Sequence, residues 1–466
     1  MSEGRHIPMD DAVRQAVWEM DRDHFIHPYA DLTTFAESGS QIIADGSGPY
    51  VTDAGGRRYL DAIAGLWCVN IGHGRGEMAD AIAAQVRSLQ YYNPFGATTN
   101  VPAARLAARL AALAPGDLDH VFFTTGGSTA TDMAVQLVHH YANRTGRPLK
   151  KRILSRRGAY HGATYLAATL TGIEATGVGF DAIGGFVEHV GEANMYRRPE
   201  GMDEDGYCDH LVREIEARIL ALGPETIGAF IAEPVMGAGG VLVAPRGYHR
   251  RVHDVCRAHD ILYIADEVVT GFGRLGHMFA SEALFGMCPD VLCVAKGITS
   301  GYVPLGATIL SRRIYDVLKV PGESRMLPRG YTYSGHAVAC AAALTNIDII
   351  EREDICAHVL ETAPYLQEQA RRLLASPLVG DVRGCGFMLG VELVADKARK
   401  TSFPTELAVA QRVYENCLRH GVIVRPVGNV VVVSPPLILD RSECAVIVDA
   451  LEASLAELAA DETLRA

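Results

Sequence analysis

Apolar positions recur along this 466-residue chain with two different periods. Spacings of three and four residues, which put side chains on one face of a helix, run through residues 10–24, Glu77–Leu89, Pro102–Leu113, Thr129–Tyr141, Asp209–Leu222 and Tyr248–His259. Short continuous apolar runs lie between them: His120–Thr124, Arg152–Ser155, Ile227–Ala232, Ile261–Ala265 and Val291–Ala295. Strands that are apolar on both faces and alternate with helices predict a mainly parallel sheet covered on both sides. Ahead of this region, residues 40–65 predict an antiparallel meander. Its strands are Gln41–Ala44, Tyr50–Thr52 and Arg58–Leu60, turning at Asp45-Gly46 and Gly55-Gly56. After residue 336 the pattern predicts an α+β unit, with helices at 336–352, 356–374, 405–420 and 441–459 and strands at 380–394 and 422–434. Residues 77–335 are expected to form a large domain. Residues 1–76 and 336–466 are expected to join in a smaller one, because the ends of a two-domain chain often meet.

Composition narrows the function classes. The chain has 43 basic and 55 acidic residues, a net charge of −12, which argues against a nucleic-acid partner. Its 10 cysteines include no CxxC pair and fall mostly within apolar patterns. They are expected to be reduced thiols in a cytosolic protein, and no metal site is expected. No basic segment followed by an apolar one opens the sequence, so no leader is expected. No run approaches the roughly 18 apolar residues of a membrane span.

Chemistry concentrates at the carboxyl ends of the expected strands, where open α/β sheets bind ligands. Lys296 is the only charged residue between Asp290 and Arg312, and it follows an apolar run. Burial would lower its pKa and make it a nucleophile suited to a Schiff base; a lysine snorkelling to solvent is the alternative. Gly126-Gly127-Ser128-Thr129 joins a strand to a helix. Its free N–H groups and the helix dipole suit a phosphate, or it is an ordinary capped turn. Asp266 closes the run Ile261–Ala265 and is expected either to pair with a pyridinium nitrogen or to cap a helix. Glu233 closes Ile227–Ala232 and is expected to bond ring substituents or to act as a structural cap. Tyr160, in Tyr160-His161-Gly162, offers an aromatic face for a flat ring or for the core. A phosphate cup, a stacking aromatic, two carboxylates and a lone lysine together match what pyridoxal 5'-phosphate requires.

At these residues the chain resembles the class III (ω-amino acid:pyruvate type) aminotransferases, which have PLP fold type I. The resemblance covers about residues 40–440. It is carried by Ile264–Arg274 with Ala295-Lys296-Gly297, by Ala159–Gly162, Ala232–Val235 and Tyr331–His336, and by Gly65–Gly74. It implies a seven-stranded sheet between helices in the large domain. It also implies roles: Lys296 as the Schiff-base lysine and proton carrier, and Asp266 on the pyridine nitrogen. Val268 and Tyr160 would flank the ring, and Gly127 and Ser128 would hold the phosphate. Thr332 would reach the phosphate of a neighbouring subunit, Trp67 would line the substrate pocket, and Arg425 would be a mobile carboxylate binder. One departure stands out. The family's phosphate loop usually reads Ser-Gly-Ser-Glu-Ala-Asn, whereas this chain has Gly126-Gly-Ser-Thr129-Ala-Thr131.

The expected function is a PLP-dependent transamination by a ping-pong mechanism. It would carry an amino group from a primary amine or ω-amino acid to pyruvate or a similar 2-oxo acid, in a homodimer or larger homo-oligomer with the site at the subunit interface. A racemase or aminomutase of the same fold is the alternative, and a protein that binds PLP without catalysis is a third reading.

Overall fold

The computed structural model describes residues 9–320 and 326–464. The residues on which the leader expectation rests fall largely outside this range. A seven-stranded sheet forms the centre. Its strands are β1 (Leu118–Thr124), β2 (Arg152–Arg156), β3 (Val187–Val190), β4 (Ile227–Ala232), β5 (Leu262–Asp266), β6 (Val291–Val294) and β7 (Gly306–Ser311). They lie in the order β1-β7-β6-β5-β4-β2-β3. All neighbours are parallel except β7, which runs antiparallel to both β6 and β1. The fold is therefore mixed α/β with a mostly parallel sheet.

The continuous apolarity of the strands follows from burial on both faces. Leu262 and Ile264 of β5 pack with Ala130, Ala134 and Val138 of the helix Gly127–Arg144. Tyr263 and Ala265, one residue out of phase, pack with Leu211 and Ile215 of Glu204–Leu222 and with Val252 and Cys256 of Tyr248–Ala258. Successive side chains point to opposite faces, so both sets must be apolar.

Several local expectations shift. Strands β3 and β7 were not separated from their surroundings by the apolar pattern. β3 is a half-buried edge strand of four residues, and β7 follows β6 with no intervening regular α-helix to mark it. The first meander strand is Ile43–Ser47, and the chain turns at Gly48-Pro49, not at Asp45-Gly46. Gly48 takes the left-handed conformation there (φ 57°). Gly46 serves packing instead, since a Cβ on it would lie 2.9 Å from His73 Cβ. The helix expected from Asp209 starts at Glu204, where Asp203 caps the Gly206 N–H at 2.8 Å. The helix expected over 405–420 is broken at Ala408 (φ 45°), leaving a 3₁₀ turn before Val409–Arg419.

The chain's two ends share a sheet. Val422–Ile423 pairs in parallel with Arg58–Asp61, completing the meander. A further antiparallel sheet holds Val379–Cys385, Met388–Leu393, Val430–Val433 and Arg425–Val427. Among the described residues, no helix is long and apolar enough to cross a membrane.

Arg274 ties these parts together from a fully buried position. Its guanidinium donates to Asn70 Oδ1 (2.8 Å) and to the carbonyls of Phe387 and Pro435. Burial lowers its pKa to about 9. Arg274→Met strands three acceptors and should destabilise the protein by about 2–4 kcal/mol in a urea titration. Arg274→Lys should recover only part of that loss, because an ammonium cannot reproduce the planar fork.

Candidate active site

The expected site residues sit where the strands end. After β1 the chain turns through Thr125 and Gly126 into Gly127–Arg144. Thr129 closes this turn. Its Oγ1 accepts the N–H groups of Gly126 (3.1 Å) and Thr125 (3.3 Å), and its hydroxyl donates to the Gly126 carbonyl (2.9 Å). A neutral hydroxyl thus does the capping work a carboxylate usually does at this position. The first-turn N–H groups of Gly127 and Ser128 have no intrahelical acceptor and carry the positive end of the helix dipole. Thr131, the other departure, is buried with its hydroxyl unpartnered among the described residues.

Two glycines let the walls close up. A Cβ on Gly127 would stand 2.9 Å from Val268 Cγ1. Gly162 (φ 136°) leaves no room either, because a Cβ would meet Ser128 Oγ at 2.5 Å. Ser128 Oγ accepts the Ala163 N–H at 3.0 Å, which joins the cup to the Tyr160-His161-Gly162 loop.

Asp266 ends β5 and is buried. His161 Nδ1 lies 2.7 Å from its Oδ2, and the Val268 N–H donates to its Oδ1 at 3.1 Å. His161 Nε2 is buried without a partner among the described residues. This fits a neutral ring with its proton on Nδ1, because an unmet lone pair costs less than an unmet N–H. Glu233 ends β4, one strand away. Its two oxygens accept the N–H groups of Tyr160 (3.0 Å) and Gly237 (2.9 Å). Burial raises its pKa, and the nearby Asp266 adds to the rise. Its carboxylate thus braces the Tyr160 backbone.

Lys296 follows β6 in a left-handed conformation (φ 41°), uncommon for a lysine and costly unless its surroundings enforce it. Asn346 enforces it by donating to the Gly297 and Ile298 carbonyls at 2.8 and 3.0 Å. Asn70 presses on Gly297 and donates to the Phe272 carbonyl at 2.8 Å. Lys296 is densely surrounded yet keeps part of its surface accessible, and burial pushes its pKa below the ordinary lysine value, against the pull of Asp266.

Tyr160 is half-buried, and burial raises its hydroxyl pKa. Trp67 is buried in a turn with φ 64°, and its ring lies 3.6 Å from where a Gly237 Cβ would be. Arg425 opens the strand Arg425–Val427 and is half-buried. Among the described residues no carboxylate pairs with it, and burial lowers its pKa while Tyr29 and Tyr160 face it. Thr332 is different. It is exposed, held by its carbonyl to the Tyr91 hydroxyl (2.7 Å), and among the described residues no hydrogen bond links it to the others. Sequence reasoning passed over His161, although it quoted the motif that holds it, and also Asn70 and Asn346. The two asparagines act on main-chain carbonyls, and no local pattern marks that role.

The walls, the dipole-bearing cup and the buried carboxylate suit a flat, basic heteroaromatic ring with an anionic arm. The amine of Lys296 suits covalent attachment to a carbonyl. Comparison with known proteins agrees. The aminotransferase class-III family model matches residues 35–455. The putrescine–pyruvate aminotransferase of Pseudomonas aeruginosa is 42% identical over 429 residues, 91% of this chain and 93% of its own length. An (S)-enantioselective omega-transaminase from Thermomicrobium roseum is 41% identical, with a TM-score of 0.94 over 98% of this chain and 100% of that one. The omega transaminase from Pseudomonas jessenii, solved in complex with PMP, is 38% identical, with a TM-score of 0.92 over 95% of this chain and 98% of that one. These relatives transfer amino groups, which favours transfer over the racemase or aminomutase alternative. The chain belongs to the class-III aminotransferases, a PLP-dependent family of enzymes.

Proposed function

We propose that this chain binds pyridoxal phosphate at the site above. There it moves an amino group from a primary amine, with a short diamine or ω-amino acid as the leading donor class, to pyruvate or a similar 2-oxo acid. The observation that carries this reading is Lys296, a lysine with a lowered pKa in an enforced turn, one strand from the buried Asp266. The relative that acts on putrescine and pyruvate supports the substrate class.

When bound, the cofactor supplies an electron sink for the carbanion left by proton loss. The amine of Lys296 would hold the cofactor covalently and, when free, would be the base that carries a proton from the donor carbon. Asp266 holds a proton on the ring nitrogen, and His161 orients that carboxylate. Gly127 and Ser128 receive the phosphate, and Val268 and Tyr160 flank the ring. Glu233 holds the Tyr160 segment in place. Trp67 lines the substrate side. Arg425, with no carboxylate partner among the described residues, takes the carboxylate of the 2-oxo acid and turns away for a donor that has none.

Thr332 would complete the phosphate site of a second copy. Its exposure supports this, as do the exposed Phe95 and Tyr333 nearby. We read the chain accordingly as a homodimer or larger homo-oligomer. The ten unpaired cysteines favour a cytosolic location. The domain division at residues 77 and 336 is supported by the shared sheet of Val422–Ile423 and Arg58–Asp61.

The direct test is alanine formation from pyruvate with a panel of amine donors. Turnover without any added 2-oxo acid would instead favour an isomerase. Three further outcomes are expected. Because the pKa of Lys296 is lowered, its neutral nucleophilic form persists to lower pH than that of an ordinary lysine. Borohydride trapping with pyridoxal phosphate near neutral pH should therefore label Lys296 ahead of the exposed Lys319 and Lys397, as read by peptide mass. Asp266→Asn should fold but slow turnover about 10²-fold, the scale of one lost electrostatic contact to developing charge. Arg425→Ala should raise the KM for pyruvate by an amount worth about 1.5–3 kcal/mol. The half-reaction with a donor lacking a carboxylate should change little, and stopped-flow measurement of the two halves separates these effects.

A further inference from the structure

A second buried cation lies behind the site. Arg156 closes β2 and is 1% exposed. Its Nη2 donates to the main-chain carbonyl of Glu233 at 2.6 Å. Its Nε has no hydrogen-bond partner, and no carboxylate lies within ion-pair distance of it, among the described residues. A guanidinium so placed is expensive unless an anion shares its surroundings.

The sheet supplies that anion at one remove. Strands β2, β4 and β5 are consecutive neighbours, with Leu154 level with Phe230 and Ala265 level with Ala232. Arg156, Glu233 and Asp266 therefore end three adjacent strands, and all three are buried. Glu233 is the middle member and has no cation in direct contact among the described residues; both its oxygens are taken by main-chain N–H groups. With Asp266 on one side, its negative charge is opposed by burial and by a like charge. The His161 ring against Asp266 and the Gly237 N–H favour the charge, and Arg156 adds to them from the other side.

Three further polar groups feel Arg156 behind the sheet: His249, Tyr248 and Tyr263. His249 accepts from the Tyr263 hydroxyl at Nδ1 (3.0 Å) and donates from Nε2 to the Pro234 carbonyl (2.8 Å). Burial and Arg156 hold its pKa down to about 3. The Tyr248 and Tyr263 hydroxyls are raised by burial, with Glu214 acting on Tyr248 from beyond. Glu233 is thus the carboxylate in this layer on which the charge of Arg156 acts most directly.

We propose that Arg156 is a positioning residue: it anchors Glu233 from behind the sheet and supplies the positive charge that keeps the Glu233 carboxylate ionised beside Asp266. The consequence for the reaction rests on the cofactor reading above. An ionised Glu233 only accepts hydrogen bonds, whereas a protonated one also donates, which changes what the ring side of the site presents to a ligand.

Two measurements test this. In the protein without cofactor, infrared difference spectroscopy follows the protonated-carboxyl stretch that disappears in Glu233→Gln. In Arg156→Met this group should titrate at higher pH than in the wild type, with Arg156→Lys between them. In the loaded protein, Arg156→Met should weaken pyridoxal phosphate binding about tenfold, the scale of one electrostatic contact. In the Glu233→Gln background the same change should cost less than about twofold, because the charge it serves is gone. Identical infrared titration in wild type and Arg156→Met would overturn the proposal. So would an equal loss of affinity in both backgrounds, which marks a packing role. Should Arg156→Met not fold, Arg156→Lys carries the same cycle at smaller amplitude. A wild type that takes up no pyridoxal phosphate yet shows the infrared shift would overturn only the cofactor reading.

Discussion

Ionisable groups held out of water at the ends of buried strands are the constraint that organises this molecule. Each must find compensation locally, because a bare charge in the interior costs several kcal/mol (roughly) after relaxation. Asp266 finds a histidine ring and a main-chain N–H. Glu233 finds two main-chain N–H groups, and Glu267, one residue on from Asp266, finds four donors from Thr270, Ala280 and Ser281. These bonds fix loops as well as charges. The carboxylates serve as splints for the segments that present Tyr160 and Val268.

The same economy governs the basic groups. Arg274 is spread over acceptors from three distant parts of the chain. Lys150 shows how far sequence surroundings can mislead. It sits in the polar stretch Pro148–Arg152, yet it is buried and donates to the Asp260 carbonyl at 2.6 Å, with its pKa lowered to about 8 by burial. Lys296 and Lys150 therefore share a physical state but differ in opportunity: Lys150 is tied to the Asp260 carbonyl with that residue's carboxylate 3.9 Å away, whereas Lys296 keeps part of its surface open.

Much of this was legible in the sequence because burial leaves a residue-type signature. The two-sided strands, Lys296 in its apolar context and the acids at strand ends all stand out against their neighbours. What stayed hidden depends on contacts made far along the chain. Asn70 and Asn346 shape the Lys296 turn from more than 45 residues away on either side, using only side-chain amides. Thr129 departs from the family's loop by a lost negative charge, and only the structure shows that its hydroxyl closes the hydrogen-bond ring of the turn. Gly46 looked like a turn and is a packing residue, a difference that only the position of His73 decides.

The strand Val422–Ile423 has a bearing on how the protein is made. It pairs with Arg58–Asp61, and Arg57 reaches across to the carbonyls of Leu418 and Arg419 at 2.8 and 2.7 Å. Some 360 residues separate these partners. The ribosome delivers the meander early, at about 5–20 residues per second, and its edge must then wait for the last tenth of the chain. During that wait an unpaired strand edge is open to wrong partners, a recognised route to misassembly. The large sheet, by contrast, is complete in synthesis by Ser311 and can form first. Vectorial synthesis therefore favours an order in which the cofactor-side framework precedes the closing of the outer sheet. A circular permutant that joins the two ends would remove the delay without touching a single side chain in the site.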